Sequence, residues 1–107
     1  MTRRETLDNA IRCVCGERDQ QYGSPEDTFG LIARLWSAYR GEEYTAHDVA
    51  MMMALLKVGR IASGRHHDDN YVDLAGYAAC AAEISDTPRV LEYADKDTAA
   101  FADMPTV

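Results

Sequence analysis

Residues 49–56 read Val-Ala-Met-Met-Met-Ala-Leu-Leu, eight apolar side chains in succession without a charge or a turn residue. Thr45 and Asp48 stand ahead of the run at the spacing of a capping box, in which each side chain satisfies a free backbone donor of the other's residue at a helix start. The apolar character continues through Val58 and Ile61 to Gly64, a natural helix stop. These signals predict a helix over 46–63 with apolar residues on every side. A helix hydrophobic all round is a buried one, so this helix is expected at the centre of the domain or of an oligomer. Spanning a bilayer takes ~20 apolar residues. The run has fewer than half of them, which argues for a core helix and against a membrane one.

The rest of the chain is read around that helix. Thr2 and Glu5 also have capping-box spacing, and Leu7, Ala10, Ile11 and Val14 follow as one apolar stripe, predicting a helix over 3–15 that weakens at Gly16. Ser24, Pro25, Glu26 and Asp27 combine an N-cap, a proline at the first helical position and two carboxylates at the positive end of the dipole. That start predicts a helix over 25–40, ending at Gly41, with Phe29, Ile32, Ala33, Trp36 and Tyr39 as its buried face. Tyr22 is placed to pack back on its first turn. A fourth helix is expected over 68–85. Its small residues, Ala75, Gly76, Ala78, Ala79, Ala81 and Ala82, let another helix approach closely, although Gly76 costs about 1 kcal/mol in helix propensity. Asp86, Thr87 and Pro88 close it. The fold class is therefore all-α, a compact bundle of about four helices. Residues 1–86 form the helical bundle domain, and 87–107 are a tail suited to one short helix or to a partner-binding extension.

At 107 residues, 47% of them hydrophobic, the chain can bury one modest core. That apolar content exceeds what a lone bundle of this size needs, so a homo-oligomer is expected. A formal net charge of -7 opposes general nucleic-acid binding, because neutralising a phosphate backbone needs a basic face. A small anionic ligand in a local basic pocket stays possible. Cys13, Cys15 and Cys80 lack the spacing of a zinc site or a disulfide framework and read as small buried apolar side chains in a reducing compartment. The acidic residues Glu5 and Asp8 interrupt any signal peptide, so the expected location is cytoplasmic.

Charges on an otherwise apolar helix need a reason. Lys57 and Arg60 lie three residues apart and project from neighbouring positions, with Arg65 beyond the helix end. They either snorkel to the surface or pair with Asp69 and Asp73, or they form a cationic pocket for phosphate oxygens, to which arginine offers a planar fork and lysine a point charge. Asp69 and Asp73 lie one turn apart on one face, an arrangement that can hold Mg²⁺ through two carboxylates while phosphates replace its waters. The bland alternative has Asp68 or Asp69 capping the helix and Asp73 pairing with Arg60. Tyr71 and Tyr77 flank Asp73 and are the aromatics best placed to meet a base. His66 and His67 before Asp68, and His47 before Asp48, suggest a histidine-aspartate metal site, but neighbouring residues on a helix point in different directions. They are read as solvated.

Arg18, Tyr22, Gly23 and Pro25, then Trp36, then Lys57 and Arg60, then Asp69, Asp73, Gly76 and Tyr77 form an ordered set of motifs. Over about residues 5–85 this set resembles a family of small phage and prophage proteins. The resemblance adds Arg18 and Tyr22 to the ligand-binding candidates, and would put the protein in a host bacterial cytoplasm. A looser likeness is to the all-α nucleotide pyrophosphohydrolases of the MazG type, oligomeric bundles that cleave nucleoside triphosphates with Mg²⁺ held by two acidic helix pairs. Here Asp69 and Asp73 supply one pair, and only Asp48 stands where the second should be. Three functions follow as expectations. The first is a phage-type oligomer binding a nucleotide or other phosphorylated small molecule, for instance to sequester a host nucleotide signal, through Lys57, Arg60, Asp69, Asp73, Tyr71 and Tyr77. The second is a Mg²⁺-dependent nucleotide pyrophosphohydrolase with metal on Asp69 and Asp73. The third is an interaction module whose charges form only an interhelical ion-pair network. The residues leave catalysis open.

Overall fold

A computed structural model describes residues 1–16, 23–64 and 66–86. The expectations for Arg18, Tyr22, Arg65 and the tail from 87 lie outside them. The described residues form four helices, α1 (Arg3–Cys15), α2 (Pro25–Arg40), α3 (Ala46–Ala62) and α4 (Asp68–Ser85), and no strand. The predicted bounds hold to within a residue, because each end carries a local chemical signal. Thr45 Oγ1 accepts the Asp48 backbone N–H at 3.0 Å, and the Asp48 carboxylate accepts the Thr45 N–H at 2.9 Å, a complete capping box for α3. Ser24 caps α2, with Pro25 at its first position. Gly41 ends α2 in the left-handed region at φ 68°, where a side chain is disfavoured, and its N–H reaches the Ser37 carbonyl at 2.9 Å.

Two caps differ from expectation. At α1 the Glu5 N–H does donate to Thr2 Oγ1, at 3.1 Å, but the Glu5 carboxylate accepts from the threonine hydroxyl rather than from the backbone N–H. At α4 the cap position is His67, with no side-chain cap bond, and Asp68 instead takes His66 Nε2 at 3.0 Å. Neither Asp68 nor Asp69 caps the helix, since both already lie inside its first turn.

Helix α4 organises the bundle. It packs most extensively on α3, then on α1, while α2 leans mainly on α3. Ala50 of α3 meets Ala81 and Ile84 of α4, with Phe29 and Ala46 against them. The small residues of α4 act as expected. A Cβ at Gly76 would stand 3.0 Å from Val14 Cγ1, so the glycine lets α1 sit close.

The predicted burial is corrected at several places. On α3 only Val49, Ala50, Ala54 and Lys57 are buried, whereas Met51, Met52, Leu55, Leu56 and Val58 are exposed. The helix is apolar all round, yet α4 and α2 flank only part of its circumference. On α1, Ala10 is buried and Val14 half-buried, but Leu7 and Ile11 face out, because α1 touches the bundle chiefly through α4. On α2, Ala33 is buried and Phe29, Ile32 and Trp36 half-buried, while Tyr39 is 87% exposed beyond the reach of the α3 packing. Trp36 instead meets the Tyr44 ring edge-on at 6.3 Å, and Tyr44 N–H donates to Ser37 Oγ at 2.9 Å, fixing the turn into α3. Of the cysteines, Cys80 is buried and Cys13 half-buried, but Cys15 is exposed at the end of α1.

Candidate functional site

The buried face of α3 follows helical spacing through Ala50, Ala54 and Lys57, and so carries a lysine inward while leucines and methionines point out. Lys57 is only 9% exposed. Its partner is Asp73 of α4, whose carboxylate accepts from the ammonium at 2.9 Å, with the aspartate side chain 23% exposed. A charge in this position needs a counter-charge, since desolvating an unpaired ammonium costs several kcal/mol. Of the two pairings the sequence leaves open, Lys57 and Arg60 with Asp69 and Asp73 or Arg60 with Asp73, the pair that forms is Lys57 with Asp73. Lys57 takes that place because it lies on the inward arc, whereas Arg60 is exposed.

Around this pair lies a polar hollow of about 400 Å³ between the C-terminal half of α3 and the first turns of α4. Lys57, Arg60 and Ser63 line it from α3, and Asp69, Asn70 and Asp73 from α4, with His67 at the mouth of the helix. Arg60 and Asp69 make no ion pair among the described residues. Asn70 is 7% exposed, and its side-chain amide has no hydrogen-bond partner among the described residues. A buried amide normally finds one. Asn70 lines this hollow.

A second hollow, about 300 Å³, lies on the other side of Asp73. Its walls are mostly apolar: Cys13 and Val14 of α1, Pro25 and Phe29 of α2, Val72, Tyr77 and Cys80 of α4. Phe29 and Tyr77 both line it, their ring centroids 6.2 Å apart at 39°. Asp73 lines both hollows. Along α4 the residues Asp69, Asp73, Gly76, Tyr77 and Cys80 share one face, so a single helix face changes from charged to aromatic to apolar over three turns.

The structure thus brings Lys57, Arg60, Asp69 and Asp73 together, and places Tyr77 one turn further along. Tyr71 is not part of this arrangement. It lines neither hollow and is exposed, its ring 6.3 Å from that of His66. Gly23 and Pro25 of the turn motif border the apolar hollow, while Arg18 and Tyr22 lie outside the described residues. Asn70, His67, Phe29 and Cys13 were not among the predicted site residues. Asn70 was within reach, being three residues before Asp73 on the same side of α4. Phe29 and Cys13 come from other helices and carried no local signal. Among the described residues no group of three or more His, Cys, Asp or Glu side chains is arranged to hold a metal ion.

The four described helices define a small all-α protein with a polar and an apolar hollow along one face of α4. Residues 5–85 match the family described as Domain of unknown function (DUF6378), and the chain belongs to it. It is similar to two proteins described as Gene 55 protein. One, from Mycobacterium phage D29, is 39% identical over 99 residues, 92% of this chain and 64% of the relative. The other, from Mycobacterium phage L5, is 47% identical over 73 residues, 67% of this chain and 47% of the relative. The matches thus span less than two thirds of either relative. No solved structure matches. Among the described residues no helix is long and apolar enough to cross a membrane.

Proposed function

We propose that this phage-type protein binds a nucleotide, or a phosphorylated small molecule built like one, across the face of α4. The observation that carries the reading is the position of Asp73 between a polar hollow that holds Lys57 and Arg60 and an apolar one bordered by Phe29 and Tyr77. An ammonium has three N–H donors and a guanidinium five. Asp73 engages one donor of Lys57, leaving the others and the fork of Arg60 for phosphate oxygens. The Asn70 amide, which lines the same hollow, adds donors beside them. Asp73 keeps acceptor capacity for a sugar hydroxyl or a ring N–H, and Phe29 and Tyr77 offer aromatic surface to a base. The two volumes together fall in the range of small-molecule sites, about 300–1,000 Å³. Holding a host nucleotide signal out of circulation would use such a site without any bond being broken.

The hydrolase reading rests on Asp69 and Asp73 lining the same hollow. A MazG-type enzyme would hold Mg²⁺ there, with further acidic ligands that the described residues do not supply. Binding without turnover is the better-supported reading.

The test is thermal unfolding of the full chain against linear and cyclic nucleotides, with and without Mg²⁺. A ligand at a hundred times its Kd stabilises the folded state by about 2.7 kcal/mol. A rise in Tm with at least one nucleotide is expected, lost in Arg60→Ala, whose own Tm stays at the wild-type value because Arg60 is exposed and makes no ion pair among the described residues. No rise with any nucleotide at millimolar concentration would overturn the proposal. Pyrophosphate release abolished by Asp69→Asn would replace it with the hydrolase.

A further inference from the structure

We infer that the outward face of α3 is the interface through which two copies of this chain associate. Met51, Met52, Leu55, Leu56 and Val58 are 41–64% exposed within about two turns of one helix, so they form one continuous surface. These five side chains present on the order of 400 Å² of apolar surface, within the range of about 300–600 Å² for the largest patch on a soluble monomer. A standard interface buries about 800 Å² per partner, so this face would supply its apolar core, with the rim coming from the residues around it.

The charge pattern selects the partner. The chain carries a net charge of -7, and two copies repel each other over most of their surface. Between Val49 and Gly59 the only charged residue is Lys57, which is turned inward to Asp73. Asp48 at the near end is engaged in the Thr45 cap. The exposed arc is therefore without charge and offers nothing to a basic or acidic partner. What it matches is another apolar helix face, and a two-fold pairing of α3 with itself brings the same patch to both sides. Exposed methionines suit such a contact, since their flexible thioethers adapt to a facing surface.

The proposal stands apart from the ligand site, because the inward arc of α3 faces the hollow and the outward arc faces the second copy. Sedimentation equilibrium of the full chain at micromolar concentration should return twice the chain mass. Leu55→Glu should return the monomer mass with unchanged helical circular dichroism, while Leu55→Met stays a dimer. Leu7→Glu, an equally exposed leucine on α1, also stays a dimer. A monomeric wild type overturns the inference, as does a Leu55→Glu protein that remains dimeric. A wild type that is monomeric, yet loses stability in Leu55→Glu, assigns the face to another part of the same chain instead.

Discussion

Lys57 is the residue at which the energetics of this protein are most exposed to test. Its ammonium is nearly out of solvent and has Asp73 as its ion-pair partner. Removing the carboxylate in Asp73→Ala strands a buried positive charge, and loss of about 2–3 kcal/mol in urea unfolding is expected. That lies at or just below the usual 3–5 kcal/mol for a broken buried pair, since Asp73 keeps some contact with water. Replacing both partners, Lys57→Met with Asp73→Leu, should recover stability to within about 1 kcal/mol of wild type, because an apolar pair of similar volume has no desolvation to offset. If the double variant is as unstable as the single one, the ion pair contributes structure that an apolar pair cannot replace. The presence of a lysine in this helix was plain from the sequence. Its direction was not, because an apolar run on every side gives periodicity nothing to distinguish an inward arc from an outward one.

At the scale of elements, the helices owe their bounds to short-range chemistry. Thr45→Ala removes the side-chain acceptor for the Asp48 N–H and should cost about 1 kcal/mol. Thr2→Ala should cost less than half as much, because the α1 box is only half formed and its donors are exposed to water. Equal losses in the two urea titrations would show that the exposure of the α1 donors to water does not weaken that cap. Such caps lie within three or four residues of one another, which is why they could be read before any tertiary contact was known. The α4 start was the exception. Asp68 or Asp69 was one reading of its cap, yet both lie inside its first turn and Asp68 turns to His66, while Asp73 meets Lys57. A carboxylate goes to whichever donor the fold brings nearest, and at Asp73 that donor lies on another helix.

For the whole molecule, α4 is the element on which the others depend. Ile84, fully buried against Ala50 and Ala81, is with Val49 of α3 one of the two largest fully buried side chains among the described residues. Ile84→Ala should cost about 3 kcal/mol and lower Tm by on the order of 15 °C in a single transition. The exposed Leu7→Ala should move Tm little. Two separate transitions in Ile84→Ala would mean that α1 or α2 folds independently of the α3–α4 pair. By itself the sequence determined four helices, their limits, the close approach at Gly76 and the set of charges that would meet, since caps, proline and glycine signals and residue spacing act within a few residues. Only the tertiary structure decided that Lys57 rather than Arg60 pairs with Asp73, that Tyr77 and not Tyr71 borders the site, that Asn70 and Phe29 belong to it, and that half of the apolar central helix faces outward. Each of those outcomes depends on where neighbouring helices lie around a helix axis, and that arrangement comes from packing between segments far apart in the chain.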